Sequence, residues 1–290
     1  MKGLFMAACM LLGLIGTGPG SGSGAGDRAP DPSAAGLSAS LHGALVRSGA
    51  FGPHPVRLLL LGDSIALTLG IGLAEGAPSA YGVAISNRAA LGCDLDPTLE
   101  ISTFGQGGPA TQGCSKWRAL WPYMVASIRP EVVALGMGRW EVSDHYYQGH
   151  WVHIGQSAWD DHLTADLRHA IAIFRTSGAK VVLLTMPYIH PRSTQPDGRP
   201  WPEDTTERTR AYNALIDRFA RGYPGDVEVL NLNKMLSPRG SYTSKVDGVR
   251  VRWIDGIHVT VAGGELLQPQ ILPVIDRLSL QVEAAARHAR

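Results

Sequence analysis

Three side chains, those of Ser64, Asp255 and His258, have the types and spacing that nucleophilic acyl chemistry requires. A serine hydroxyl attacks an ester carbonyl when a base within hydrogen-bond reach takes its proton and a third group holds that base in the correct tautomer. In the segment Asp255-x-x-His258, the three-residue spacing lets the carboxylate meet Nδ1 of the imidazole and leaves Nε2 free to face Ser64. The alternative is that Ser64 only caps a helix, with Asp63 supporting the first turn.

The elements around Ser64 predict an α/β fold that places this hydroxyl at a ligand-binding edge. The apolar run at 56–62 indicates a strand covered on both faces, and a helix follows from Ser64 onward. Open α/β sheets bind ligands at the carboxyl ends of their strands, where helix amides stabilise negative charge. Further strands are expected over 81–87, 131–137, 180–185 and 227–230, and helices over 115–128, 157–176 and 207–222. This alternation predicts a parallel sheet of about five strands with helices on both faces.

Three segments between these elements are expected to be irregular loops. Residues 94–113 and 138–155 have no clear hydrophobic period, and the prolines within 187–204 exclude regular structure. Val246-Asp247-Gly248-Val249 carries a hairpin turn signal and predicts a small β excursion before Asp255.

The first 26 residues are expected to be a signal peptide or a short membrane anchor. Lys2 precedes an apolar run of about 14 residues, which fits a secretory segment and is short for a bilayer span. No clear cleavage site follows, so an uncleaved anchor stays open as the alternative. Residues 27–52 are rich in Gly, Ser, Ala and Pro and predict a flexible linker, with the folded domain over 53–290. We therefore expect a secreted or extracytoplasmic protein, free or anchored by its N-terminal segment.

Charge and cysteine content narrow the function classes. The 290 residues carry 26 basic and 25 acidic side chains, so no electrostatic surface for nucleic acid is indicated. With the N-terminal segment removed, Cys93 and Cys114 remain, an even number for an oxidising compartment. A disulfide is expected, closing a loop of roughly 20 residues and worth about 3 kcal/mol; the alternative is two unrelated buried thiols. No cysteine pair has zinc-ligand spacing, and no metal or other cofactor is expected.

Four short segments resemble the sequence blocks of SGNH (GDSL-like) hydrolases. They are Gly62-Asp63-Ser64, Gly92, Gly136-Met137-Gly138 and Asp255-Gly256-Ile257-His258. The resemblance is stronger to the extracytoplasmic SGNH domains fused to acyltransferase-3 membrane proteins in actinobacteria, which have segments similar to LLLLGDSIALTLG, LGC, GRWEVSD and DGIHVTVAGGE. It implies a flavodoxin-like three-layer α/β/α sandwich, a serine nucleophile, and esterase or acyl-transfer activity on small O-acyl groups, often acetyl groups of glycans.

The resemblance also implies roles for individual residues. Ser64 matches the nucleophile, His258 the base and Asp255 the residue that orients it, while the backbone amides of Ser64 and Gly92 match oxyanion-hole donors. The third block departs from the family, because its usual Gly-x-Asn-Asp supplies an Asn donor that this chain lacks. Losing one such donor costs about 100-fold or more in rate. Arg139, which follows Gly138, either substitutes as a cationic donor or is an ordinary ion-paired residue.

The polar and aromatic segment after the third strand is a candidate for substrate recognition. Trp140, Tyr146 and Trp151 suit stacking on a sugar ring, and the alternative is a loop packed by its own aromatic side chains. Asp63 and Glu141 are further expected substrate contacts.

Two functions are therefore open. The first is an exported serine esterase or O-acyltransferase that acts on O-acetyl or similar small acyl esters of cell-envelope glycans. Its partners would be an acylated carbohydrate or small ester and a separately encoded membrane acyltransferase. The second is a catalytically weak glycan-binding or accessory module that retains the fold. The missing Asn favours the second, whereas the intact set of Ser64, Asp255 and His258 argues against it.

Overall fold

The computed structural model describes residues 55–288, and five parallel strands form its central sheet. These strands are β1 (Val56–Gly62), β2 (Val83–Asn87), β5 (Val132–Gly136), β8 (Lys180–Leu184) and β9 (Val227–Leu230). Their order across the sheet is β2-β1-β5-β8-β9, and every neighbouring pair is parallel. The predicted parallel sheet is confirmed.

Helices flank this sheet and give the predicted α/β/α sandwich. They are α1 (Ser64–Ala74), α2 (Ala77–Tyr81), α3 (Trp117–Ile128), α4 (Ser157–Arg175), α5 (Thr206–Ala220), α6 (Leu232–Leu236) and α7 (Val261–His288). In β1, the side chains of residues 58–61 are at most 1% exposed. Since successive strand side chains point to opposite faces, four consecutive buried leucines require cover on both faces. The largest helix–helix contact joins α1 to α7, the two helices that flank the candidate catalytic residues in the sequence.

Two segments predicted to be irregular loops contain strands instead, and those predictions are wrong. The strands are β3 (Glu100–Thr103), β4 (Gln106–Pro109), β6 (Asp144–Tyr147) and β7 (His150–Val152), paired antiparallel in the order β4-β3-β6-β7. Each hairpin turns through two residues of positive φ, Phe104-Gly105 and Gln148-Gly149. Hydrophobic periodicity does not indicate strands such as β4, because its sequence is Gln-Gly-Gly-Pro and has no alternation of apolar and polar residues.

The other predicted segments agree with the structure apart from the start of β2. The short helix α2 takes up Tyr81, so β2 begins at Val83 after Gly82, which has a left-handed φ of 64°. The predicted hairpin is present as β10 (Lys245–Val246) and β11 (Val249–Arg250). Residues 187–204 are irregular except for one 3₁₀ turn at their end.

The predicted disulfide between Cys93 and Cys114 is present, with the two Cα atoms 4.7 Å apart. Next to it, the amide of Gly113 donates a hydrogen bond to the carbonyl oxygen of Gly92 at 2.8 Å. The loop that follows β2 is therefore held to the segment preceding α3 by a covalent and a hydrogen bond.

The signal peptide or anchor predicted over 1–26 and the linker predicted over 27–52 lie outside the described residues. Between residues 55 and 288, no helix combines the length and apolar character needed to cross a membrane.

Candidate active site

Ser64 is the first residue of α1, at the carboxyl end of β1. The corner before it is tight, because Gly62 has a φ of 137° and a Cβ atom there would lie 1.9 Å from a carbonyl oxygen of β5. Oδ1 of Asp63 caps α1 by accepting hydrogen bonds from the amides of Ile65 at 2.8 Å and Ala66 at 3.3 Å. Asp63 thus performs the capping that was the alternative role for Ser64, and the Ser64 hydroxyl is not needed for it.

The two predicted oxyanion donors lie at this same end of the sheet. The loop of Gly92 is tied to β1, since the amide of Ala90 donates to the carbonyl oxygen of Gly62 at 2.9 Å. Gly92 itself has a φ of 62°, a backbone conformation that favours glycine. Within residues 55–288, the amides of Ser64 and Gly92 are not engaged in hydrogen bonds. Free amides of this kind can stabilise a developing oxyanion.

Asp255 and His258 form the hydrogen bond that their spacing predicts. Oδ2 of Asp255 lies 2.6 Å from Nδ1 of His258, and Oδ1 accepts the amides of Ile257 at 2.8 Å and His258 at 3.1 Å. Burial raises the pKa of Asp255, but the His258 hydrogen bond and the two amides together outweigh it, so the net pKa lies below its usual value. An ionised carboxylate at Nδ1 favours the tautomer that leaves Nε2 free to act as a base.

Thr68 connects this pair to the helix that begins at Ser64. Its hydroxyl donates to the carbonyl oxygen of Ser64 at 2.9 Å and accepts the amide of Val259 at 3.2 Å. The residue after His258 is therefore two hydrogen bonds away from Ser64, although 191 positions separate Thr68 from Val259. Within the described part of the chain, the Ser64 hydroxyl makes no hydrogen bond, and Ser64 is 7% exposed.

A largely apolar cleft of about 290 Å³ opens beside His258. It is lined by Thr68, Ile71, Leu91, Trp253, Asp255, His258, Val259 and Val261. The cleft thus joins the imidazole of His258 to Leu91, the residue before Gly92.

Asp63 and Glu141, which were predicted to bind substrate, are buried and do not line the cleft. The two residues are 1% and 0% exposed, because their carboxylates bind backbone amides inside the protein. Oδ2 of Asp63 accepts the amide of Arg139 at 3.1 Å, and Oε2 of Glu141 accepts the amide of Gly138 at 2.7 Å. Oε1 of Glu141 accepts the amide of Leu95 at 3.3 Å. The two carboxyl groups therefore fix the third block to the Ser64 corner and to the loop of Gly92.

The environment of these carboxyl groups favours their neutral forms. Burial raises the pKa of Asp63, although the amides of Arg139, Ile65 and Ala66 oppose it. Burial, with added repulsion from Asp94 and Asp63, raises the pKa of Glu141 well above its usual range. The surroundings of Glu141 therefore disfavour its ionised form more than water does.

Arg139 is ion-paired, which is the second of its two predicted roles. Nη2 lies 3.2 Å from Oδ1 of Asp204, and the Arg139 side chain is only 4% exposed. The rings of Trp140 and Phe104 lie 5.5 and 6.0 Å from the guanidinium carbon. The guanidinium is thus held by the protein rather than presented as a free donor.

The aromatic segment divides into an inner and an outer part. His145 is buried and stacks on Trp159 with ring centroids 3.8 Å apart. Tyr146 and Trp151, on β6 and β7, are 42% and 43% exposed, with ring centroids 5.4 Å apart. Trp140 is half-buried. Packing against α4 therefore explains the inner residue His145, whereas Tyr146 and Trp151 contact each other at the surface.

Among residues 55–288, Asp96, His162 and Asp166 form one group whose spacing could hold a metal ion, with ligand atoms within 4.8 Å of one another. Nε2 of His162 lies 2.5 Å from Oδ2 of Asp96, and Nη2 of Arg118 lies 2.5 Å from Oδ1 of Asp166. The hydrogen bond to Asp96 raises the pKa of His162 despite its burial. Contacts of Arg118 and His162 with these carboxylates therefore form a network that joins the loop of Asp96 to α3 and α4.

Two residues at the site were missed by sequence reasoning. Thr68 follows Ser64 by four residues, a spacing that places both on one helix face and could have identified it. Asp204 lies in a proline-rich segment without periodicity, and no local pattern indicates its contact with Arg139.

Comparison with known proteins agrees with this fold. A family model described as "SGNH domain (fused to AT3 domains)" matches residues 34–273. An α/β hydrolase enzyme from the metagenome of Lake Arreo, Spain, has a similar structure, with a TM-score of 0.50 and 15% identity, covering 78% of this chain and 97% of that chain.

Two further solved structures match with slightly lower TM-scores. TesA matches with a TM-score of 0.48 and 19% identity, covering 77% of this chain and 99% of that chain. A catalytic mutant of an acetylxylan esterase from Geobacillus stearothermophilus matches with a TM-score of 0.47 and 16% identity, covering 77% and 94%. No curated protein sequence matches this chain.

The family match covers most of the chain, including the Ser64 corner and the Asp255–His258 pair. The parallel sheet and its flanking helices have the arrangement that the resemblance implies. The chain belongs to the family of SGNH domains that are fused to AT3 domains.

Proposed function

We propose that this SGNH domain is an exported serine esterase or O-acyltransferase that acts on small acyl esters of cell-envelope glycans. The observation that carries the proposal is the 2.6 Å hydrogen bond between Asp255 and His258, held beside the helix that begins at Ser64. The family supports hydrolase chemistry, and the sequence-distant Ser, His and Asp have the types that covalent catalysis requires.

In the proposed reaction, Nε2 of His258 takes the hydroxyl proton of Ser64 as Oγ attacks the ester carbonyl carbon. The carbonyl oxygen becomes an oxyanion that accepts hydrogen bonds from the amides of Ser64 and Gly92. The tetrahedral intermediate collapses when the bond to the alcohol breaks and His258 returns the proton to that oxygen. Water or a sugar hydroxyl then attacks the acyl-enzyme by the same steps and regenerates Ser64.

The third block makes this site weaker than one with three oxyanion donors. Since Arg139 is paired with Asp204, the proposed oxyanion hole relies on two backbone amides. Loss of one donor costs about 100-fold or more in rate, so we expect slow hydrolysis. A slow reaction with water is compatible with transfer of the acyl group to a sugar hydroxyl.

Export and the proposed partner rest on two observations. The Cys93–Cys114 disulfide is typical of an oxidising compartment, and the family is described as fused to AT3 domains. A separately encoded membrane acyltransferase is accordingly the proposed source or recipient of the acyl group.

A catalytically weak glycan-binding module is the second candidate function. It is favoured by the ion-paired Arg139 and by the exposed pair of Tyr146 and Trp151, which could stack on a sugar without any reaction.

The two functions are separated by testing for a reactive serine. The purified domain is treated with a fluorophosphonate probe and assayed with p-nitrophenyl acetate, beside Ser64→Ala and Asp255→Asn. The proposal requires covalent labelling that is absent in Ser64→Ala, and turnover that falls by about 10⁴-fold in Asp255→Asn because the imidazole loses its tautomer and its countercharge. Equal turnover by wild type and Ser64→Ala, with no labelling of either, would contradict the enzyme proposal and favour the glycan-binding module.

A further inference from the structure

Exposed apolar side chains gather around the cleft beside His258. Ile71, Leu91, Trp253 and Val261 line it, and they are between 38% and 66% exposed. They come from four separate segments, namely α1, the loop after β2, the loop before Asp255 and the start of α7. Single exposed apolar residues are normal on a protein surface, but a group of them around a concave site marks a place where an apolar ligand binds.

The helix that begins at Ser64 also contributes to this cleft. Thr68 and Ile71 follow Ser64 by four and seven residues, so the three lie on one face of α1. The cleft is lined by Thr68 and Ile71 together with His258. Ile71 lies about 10 Å along the helix axis from Ser64, a distance that an extended chain of about eight carbons spans. A group esterified to the Ser64 hydroxyl therefore has a path along α1, past Thr68, to Ile71.

The polar groups that line the cleft are paired within the protein, which favours an aliphatic ligand over a sugar. Asp255 uses Oδ2 for His258 and Oδ1 for two backbone amides. The hydroxyl of Thr68 donates to the carbonyl oxygen of Ser64 and accepts the amide of Val259. A sugar that leaves water needs partners for its hydroxyl groups, whereas an aliphatic chain needs none. In the proposed ester the alcohol is a sugar, so the aliphatic part is the acyl group.

We propose that this cleft holds the acyl chain of the ester and selects an aliphatic acyl group of about four to eight carbons over acetyl. The inference rests on the proposed function, because it names the acyl class of that reaction. Ile71 and Val261 are the proposed specificity-determining residues, since both line the cleft and neither takes part in the proposed reaction steps. Because the chain leaves water when the substrate binds, a longer chain should lower KM more than it raises kcat.

The first test varies the acyl group while the alcohol stays the same. p-Nitrophenyl acetate, butyrate, hexanoate and octanoate share one leaving group, so its own contacts cancel from the comparison. In wild type, kcat/KM is expected to rise by about tenfold or more from acetate to the best of the longer esters.

Variants of the cleft then test the assigned residues. In Ile71→Ser and in Val261→Ser, the ratio of kcat/KM for the best ester to kcat/KM for acetate should fall by about fivefold or more. Their kcat/KM for acetate should stay within about twofold of wild type, and Ile71→Ser decides if Val261→Ser also slows acetate hydrolysis. Leu280→Ser is the matched control, because Leu280 is exposed on α7 outside the cleft lining. Its ratio should equal that of wild type.

Two results would overturn the inference and leave the proposed esterase intact: acetate as the best substrate of wild type, or equal ratios in wild type and both cleft variants. If wild type hydrolyses none of the four esters and resists the fluorophosphonate, the proposed function fails, and binding alone then tests the cleft. Saturation-transfer NMR with sodium octanoate should show contact with wild type that is lost in Ile71→Ser and kept in Leu280→Ser. No contact with wild type, or contact that Ile71→Ser leaves unchanged, would exclude an acyl-chain site in this cleft.

Discussion

Glu141 shows how a buried carboxyl group can join the loops around a candidate site through backbone amides. Glu141→Ala leaves the amides of Gly138 and Leu95 without an acceptor and should lower the free energy of unfolding by about 2–5 kcal/mol. Glu141→Gln keeps a carbonyl oxygen for the shorter of the two bonds and should cost about 1 kcal/mol. Urea denaturation at pH 7 measures both, with Glu75→Ala as an exposed control. Equal losses in the Ala and Gln variants would contradict the role of the amides.

Because the pKa of Glu141 is raised, the difference in stability between wild type and Glu141→Gln should depend on pH. Burial and the neighbouring carboxylates of Asp94 and Asp63 raise the pKa of this group in the folded state, whereas in the unfolded state it ionises near its ordinary value. The stability that it contributes is therefore complete below that ordinary value and is lost as the pH rises toward the folded-state pKa. Urea denaturation at a series of pH values should show wild type losing stability relative to Glu141→Gln as the pH rises above the ordinary pKa of a glutamate, and a pH-independent difference would contradict this.

At the residue scale, the sequence predicts contacts that depend on local spacing, but it does not predict contacts that form only when distant segments are buried together. The three-residue spacing of Asp255 and His258 is enough to predict their hydrogen bond. Asp63 and Glu141 were predicted to contact substrate, and both carboxylates are instead buried against backbone amides. Their real partners are amides such as that of Leu95, 46 positions from Glu141, and no local pattern reports such a contact.

Among the elements, the loop after β2 depends on the Cys93–Cys114 disulfide. Reduction, or the double variant Cys93→Ala with Cys114→Ala, should lower the free energy of unfolding by about 3 kcal/mol, because the 21-residue separation constrains the unfolded chain. The rate of acylation should fall as well, since Gly92 precedes Cys93 and its amide is a proposed oxyanion donor. Urea denaturation with and without dithiothreitol, and fluorophosphonate labelling rates, measure the two effects. Identical denaturation curves under both conditions would refute the first.

The elements that could be predicted are those with the simplest environment. β1 and β5 are buried on both faces and appear in the sequence as continuous apolar runs. The strands of the antiparallel sheet have mixed exposure, and β4 contains two glycines, so they show no apolar pattern in the sequence. Their pairing depends on turns of positive φ and on partner strands far along the chain.

Over the whole molecule, the candidate site is assembled by the parallel arrangement of the sheet. β1 and β5 end side by side, with Gly62 opposite Gly136, which brings the Ser64 corner and the third block together. The C-terminal pair arrives by a different route, because the start of α7 packs on α1. The sequence predicted the first arrangement from alternating strands and helices, but periodicity alone did not specify which helices would pack against each other.

Close contact between α1 and α7 should therefore control how His258 meets Ser64. A Cβ atom on Gly264 would lie 2.7 Å from Cα of Gly72 and 2.8 Å from the carbonyl oxygen of Leu69, so Gly264→Ala must push the two helices apart. We expect a loss of about 1–3 kcal/mol in the free energy of unfolding, as for other overpacked sites. The fluorophosphonate labelling rate of Ser64 should also fall, because His258 lies just before α7 and moves with it. Gly108→Ala is the control, since a Cβ atom there meets nothing within 4 Å. A Gly264→Ala protein that labels and unfolds like wild type would show that the helix contact does not set the geometry of the site.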